Sequence, residues 1–281
     1  MTRSRTALQL LRLLLTAGAL LPPATGRGGE ILRVSGTGTA LGAMRRLAAP
    51  YAKANPGHEL KILASVGSSG AFHAVARGAL DVGIAARPLT KEEFRLGLVA
   101  IPYARTPLIL AAGPRVGATG VTAAEVARML RGELVRWPDG ERVRVVLRQR
   151  DDADMQILLA HSPELAEAVE SALRRPGMLV ATTNQECNAM LVRTPGSIGP
   201  TSLTQIITEE LPITPLSWNG VAPTLKNLAS GAYPLEKPLY LVIRAPAAPH
   251  VKAFVAFLAT AEARRVLEAA GNLPLHLAPL E

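Results

Sequence analysis

The chain runs to 281 residues, 48% hydrophobic, 19% charged and 4% aromatic, with a formal net charge of +9. That is enough for one large domain or two of ordinary size, around a core that must be aliphatic. Scattered charge and scarce aromatics exclude the basic stripes and stacking platforms of nucleic-acid binding. A mildly basic protein of this kind favours anionic ligands, acidic lipid or nothing specific.

Residues 1–26 have the pattern of a secretory signal peptide: the basic "MTRSR", the apolar "ALQLLRLLLTAGALL" interrupted by Arg12, then the small-residue exit "PPATG". The apolar run is too short and too interrupted to span a bilayer. Cleavage is expected near Gly26, and loss of Arg3, Arg5 and Arg12 takes the net charge from +9 to +6. No Cys follows the run to carry a lipid. The single Cys187 has no internal disulfide partner and is expected buried, which fits a periplasmic protein with a large core.

The mature chain alternates strand and helix patterns. "ILRVSG" (31–36) predicts a strand, 39–57 a helix closed by Asn-Pro-Gly, "HELKILAS" a second strand and "SGAFHAVARGAL" a second helix. A third strand is expected over 80–86, a helix opening at Thr90, and a long extended segment over 98–113. A second set follows. Thr122 and Glu125 form a capping box for a helix over 122–133, a strand covers 142–148, and the helical stretch 152–175 breaks at Ser162-Pro163. Strands over 177–183 and 197–202 flank a helix over 184–196, with a short extended piece over 211–216. A helix over 224–231, a strand over 237–245 and one or two helices over 250–271 end the chain. Such alternation predicts an α/β fold of mainly parallel sheets flanked by helices. Two sets predict two lobes: 30–110, 111–214, and a return to the first lobe over 215–281, with a ligand cleft between them.

Three strand-to-helix turns carry polar groups. "SGTGT" (35–39) falls short of a dinucleotide fingerprint, because Leu41 stands where a third Gly is needed and no ribose-binding acid follows strand two. What remains is Thr37 and Thr39 at a helix N-terminus, where Thr39 is either a plain N-cap or an anion contact. "VGSSG" (66–70) repeats the construction with Ser68, Ser69 and Gly70. Unpaired N–H groups at such turns suit an anion, and two neighbouring turns would converge on one. Arg87 follows strand three, and Arg148 and Arg150 end a strand of the other lobe. Each is either a solvated or paired Arg, with Asp151, Asp152 and Asp154 at hand, or a guanidinium fork for an oxyanion. The five His are scattered, and no nucleophile elbow, P-loop or C-x-x-C occurs, so no catalytic residue, metal or cofactor is expected.

The succession "GSSG", "LDVGIAARPLTKEE", "VTAAEVARMLRGELVRW", "RTPGSIGPTSL" and "GVAPTLKNLASGAYPLEKPLYLVI" resembles the periplasmic phosphate-binding proteins of phosphate ABC transporters, over roughly 30–270. The resemblance implies a two-lobed periplasmic-binding-protein-like fold. It also implies ligand contacts from Thr37 and Thr39, from Ser68, Ser69 and Gly70, and from Arg148 or Arg150. Two departures stand out. Where the family has an Asp after strand three to accept the phosphate's proton, this chain has Ala86 and Arg87. Where it has Ser-Gly-Thr after the strand-end Arg, this chain has Ala153, Asp154 and Met155. The first departure makes Arg87 the expected contact of its turn; the second adds a repulsive carboxylate.

The expected function is therefore capture of a small oxyanion, phosphate first, by a monomeric periplasmic protein serving a membrane ABC permease or a sensor partner. The alternative is a homologue that has lost its ligand and acts as a scaffold or signalling partner. An enzyme ranks third.

Overall fold

The computed structural model describes residues 30–280, and the expected signal peptide at 1–26 lies outside them. The first lobe opens with β1 (Glu30–Gly36), α1 (Gly38–Ala54), β2 (His58–Ile62), α2 (Gly67–Ala76), β3 (Val82–Ala85) and α3 (Lys91–Phe94). A 15-residue strand, β4 (Leu98–Ala112), then leaves it.

The second lobe contains β5 (Gly120–Val121), α4 (Ala123–Arg131), β6 (Arg144–Arg148), α5 (Ala153–His161), α6 (Pro163–Arg174), β7 (Leu179–Ala181) and α7 (Asn184–Arg193). It continues through β8 (Ser197–Ser202), α8 (Leu203–Thr208), β9 (Thr214–Pro215), β10 (Ser217–Trp218) and α9 (Leu225–Ala229). The chain returns through β11 (Glu236–Arg244), α10 (Pro249–Leu258), α11 (Ala261–Ala269) and β12 (Leu273–Pro274).

Local chemistry explains several boundaries. Thr122 accepts from the N–H of Glu125 while the Glu125 side chain reaches back to the Thr122 N–H, so α4 starts on a complete capping box. Ser162 ends α5 and caps α6, whose first position is Pro163. Proline lacks an N–H, and at the first position of a helix that N–H would have had no intrahelical acceptor.

The sheet order is β2-β1-β3-β11-β4-β8-β6-β7. The flanks are parallel: β1 with β2 and β3, and β6 with β7 and β8. The middle is antiparallel, because β4 and β11 run between the lobes in opposite directions. Residues 98–107 of β4 pair with β11, and 108–112 pair with β8.

Each lobe has its own core. In the first, Leu32, Val34 and Leu241 pack with Tyr51, whose ring meets Phe254 and Phe257 edge-on at 5.3 and 5.4 Å. In the second, Leu110, Leu130, Val169 and Trp218 pack together. Leu216, Trp218, Tyr233 and Leu235 all belong to this second core, so the expected return at 215 is corrected to Glu236. The stretch 215–235 lies on the far side of the crossover because its large apolar side chains find their burial there.

The lobes touch along α1. A Cβ at Gly38 would lie 2.4 Å from the Gln185 amide oxygen, and one at Gly42 would lie 2.0 Å from the Thr208 hydroxyl. These two glycines let α1 approach α7 and α8 at backbone distance. Arg46 extends the contact, donating to the Ile207 carbonyl at 2.9 Å.

Candidate functional site

At the seam between the lobes lies a cluster of polar side chains that water hardly reaches. Thr37 caps α1 by position, but its hydroxyl makes no cap hydrogen bond; it lies 3.5 Å from the Asn184 side-chain oxygen in the second lobe. Thr39 is not the cap. It faces Lys237, whose ammonium donates to the Thr39 hydroxyl at 2.6 Å. Lys237 stands one residue past the crossover into β11, and it is only 1% exposed.

From the second lobe, Arg148 ends β6 and Asp152 caps α5. Asp152 accepts from the Asp154 N–H at 3.0 Å and from Arg148 Nη2 at 2.5 Å. Asp154 is fully buried; it pairs with the Lys237 ammonium and accepts from Asn184 Nδ2 at 3.1 Å. The seam thus holds two cations and two carboxyls, linked across the lobes.

Electrostatics set the two carboxyls apart. Burial pushes the Asp152 carboxyl up, but the Arg148 hydrogen bond, the charges of Lys237 and Arg148 and the Asp154 N–H together outweigh it and hold Asp152 below the usual carboxylate range. Burial pushes Asp154 up too; the negative Asp152 beside it adds to this, and the nearby Lys237 does not fully reverse it. Burial opposes the charge of Arg148, but the bond to Asp152 raises its pKa and keeps it a cation.

One feature of the seam is chemically incomplete. Arg148 is 4% exposed, and its Nε and Nη1 are buried without a hydrogen-bond partner. Guanidinium N–H groups taken out of water and left unpaired are costly. These two lie on either side of the Nη2 that Asp152 already holds, so each is a single charge-assisted donor for an oxyanion oxygen rather than half of a common fork.

The second turn is stitched to the first: the Val66 N–H and the Ser65 hydroxyl both donate to the Gly36 carbonyl. Its own hydroxyl oxygens serve the protein. Ser68 Oγ accepts from the Ala86 N–H at 3.0 Å, and Ser69 Oγ accepts from Arg87 at 2.8 Å. A Cβ at Gly70 would lie 3.0 Å from the Val66 Cβ, so crowding there is local to the helix start. Arg87, expected as its turn's main ligand contact, has a partner within the protein. Its fork grips both Glu93 carboxylate oxygens at 2.8 Å, and its carbon lies 4.5 Å from the centre of the Phe72 ring. Arg150 has one too: its side chain is 65% exposed and pairs with Glu170 on the outside of the lobe.

Thr37, Thr39 and Arg148 therefore share the seam, while Ser68, Ser69 and Gly70 form its neighbouring turn. Ser68→Ala is expected to cost about 1–3 kcal/mol, because it strands the buried Ala86 N–H. Ser69→Ala, at an exposed position, is expected to stay within about 0.5 kcal/mol. Urea denaturation of the two variants checks the difference.

Lys237, Asp154 and Asn184 complete the seam beyond what sequence reasoning assigned. Lys237 opens an apolar strand, where a Lys reads as solvated, and Asn184 reads as a helix start. Among the described residues, no group of three or more His, Cys, Asp or Glu side chains is placed to hold a metal. No helix among them is long and apolar enough to cross a membrane.

A family model described as a PBP superfamily domain matches residues 22–262. The chain belongs to the PBP superfamily. The phosphate-binding protein PstS of Borreliella burgdorferi is 26% identical to this PBP-superfamily chain over 218 residues, which is 74% of this chain and 76% of that protein. Among solved structures, the fold is similar to a candidate phosphate ABC transporter substrate-binding protein from Clostridium perfringens with phosphate bound. That likeness has a TM-score of 0.74 at 17% identity, covering 88% of this chain and 100% of that one. It is also similar to the periplasmic molybdate-binding protein of Azotobacter vinelandii, with a TM-score of 0.60 at 19% identity, covering 86% and 98%. Likeness at these identities carries the fold and leaves the ligand to the seam's own chemistry.

Proposed function

We propose that this PBP-superfamily chain is an exported, periplasmic substrate-binding protein that holds a small tetrahedral oxyanion, phosphate first, between its lobes. It performs no chemistry on the ligand. As a monomer it would present the ligand to a membrane ABC permease or to a sensor. The observation that carries the reading is the buried Arg148, whose Nε and Nη1 lack any hydrogen-bond partner in a seam that also holds Lys237 and the Thr37 and Thr39 hydroxyls beside Asp152 and Asp154. Thr37 and Thr39 at the N-terminal end of α1 add hydroxyls where a helix also favours negative charge. The phosphate named for the PstS relative and the molybdate named for the Azotobacter neighbour set the class of ligand to try.

Calorimetric titration of the mature protein with phosphate, sulfate, molybdate and tungstate tests this. Saturable one-to-one binding of at least one of the four at low ionic strength is expected. Absence of binding for all four would contradict it.

A further inference from the structure

Asp154 sits where an anionic ligand would need to find its partners. Its carboxylate pairs with the Lys237 ammonium from the crossover strand and accepts from Asn184 of the second lobe, while the same ammonium donates to Thr39 of the first lobe. α7 and β11 thereby meet on one fully buried carboxylate of α5, and α1 joins them through the Lys237 ammonium. Formal charge in the seam balances, with Arg148 and Lys237 against Asp152 and Asp154. An oxyanion added to this set would leave uncompensated negative charge out of water, which is strongly unfavourable.

We propose that the Asp154 carboxylate is a resident anion that holds the lobes together in the absence of ligand and competes with external oxyanion for Lys237 and Asn184. This deepens the oxyanion reading above and rests on it. Ligand binds first to the free donors of Arg148 and then displaces Asp154, whose place in the first turn of α5 lets it move with the second lobe. Affinity is thereby set below what the same donors would give without the carboxylate.

Two variants test it. Asp154→Asn keeps the side chain's shape and removes its charge, so calorimetric titration with inorganic phosphate should show it binding about tenfold or more tighter than the wild type. Asp154→Ala leaves a gap the size of a carboxylate beside a buried ammonium. Sodium formate should raise its melting temperature, relative to sodium chloride at equal ionic strength, while leaving the wild type unmoved. Equal or weaker phosphate binding by Asp154→Asn would overturn the competition while leaving the oxyanion reading intact. If neither protein binds phosphate, sulfate, molybdate or tungstate, the oxyanion reading fails and the formate melt decides the resident anion alone. An Asp154→Ala protein that formate neither stabilises nor helps to fold overturns that as well.

Discussion

Arg148→Gln is expected to lower phosphate affinity by about one to two orders of magnitude while the protein stays folded. The estimate follows from two donors, Nε and Nη1, that no protein group uses. A single anion accepts from one of them, and a hydrogen bond to a charged acceptor contributes about 1.5–3 kcal/mol, which is about one to two orders of magnitude in affinity. Glutamine keeps an amide that can still donate to Asp152, which limits the structural damage. Arg148→Lys should fall between the two, because an ammonium is a point charge without the planar fork. Titration of the three proteins with phosphate, each checked by circular dichroism, reads the series. Affinity within threefold of wild type in Arg148→Gln would remove Arg148 from the site.

Lys237→Met carries the largest expected effect on stability. It leaves Asp154 in the seam without its cation, and breaking a buried pair by removing one partner costs about 3–5 kcal/mol. For a protein of this size that is about 6–20 °C of melting temperature. Replacing both partners, as in Lys237→Met with Asp154→Leu, should recover most of the loss, since apolar groups of similar volume satisfy each other without desolvating charge. A single variant that melts within about 2 °C of wild type would mean that water reaches the pair and screens it.

How much of this was legible in the sequence varied with the range of the interaction. The capping box at Thr122 and Glu125 and the break at Ser162-Pro163 are local, set by groups three residues apart or fewer, and both appear where the sequence places them. The alternation of strands and helices and the long strand from Leu98 were equally readable. The short α8 was not: its capping Ser202 also ends β8, and six residues carry too little periodicity to be recognised. The crossover at Glu236 was misplaced because Trp218 and Tyr233 declare their lobe only through the core they join.

The site was legible in part. Arg148 and the two threonines lie at turn positions that chain order exposes. Arg87 pairs with Glu93 of the following helix and lies over Phe72 of α2, partners that its place after strand three did not announce. Asp154 was noticed as a repulsive departure, and the sequence held no sign that Lys237, 83 residues away, would neutralise it. The glycine pair at 38 and 42 had a purpose that only the approach of α7 and α8 reveals.

The central claim is that an oxyanion sits between the lobes on Arg148. Diffraction from crystals of the mature protein grown with tungstate tests it most directly, using the anomalous signal of tungsten. One dominant peak is expected about 4 Å from the Arg148 guanidinium, at Nε or at Nη1 and next to the N-terminus of α1, as a charge-assisted contact through a tungstate oxygen requires. Peaks confined to the outer surface, or a seam in which Asp154 still holds Lys237 and no tungsten appears, would contradict it.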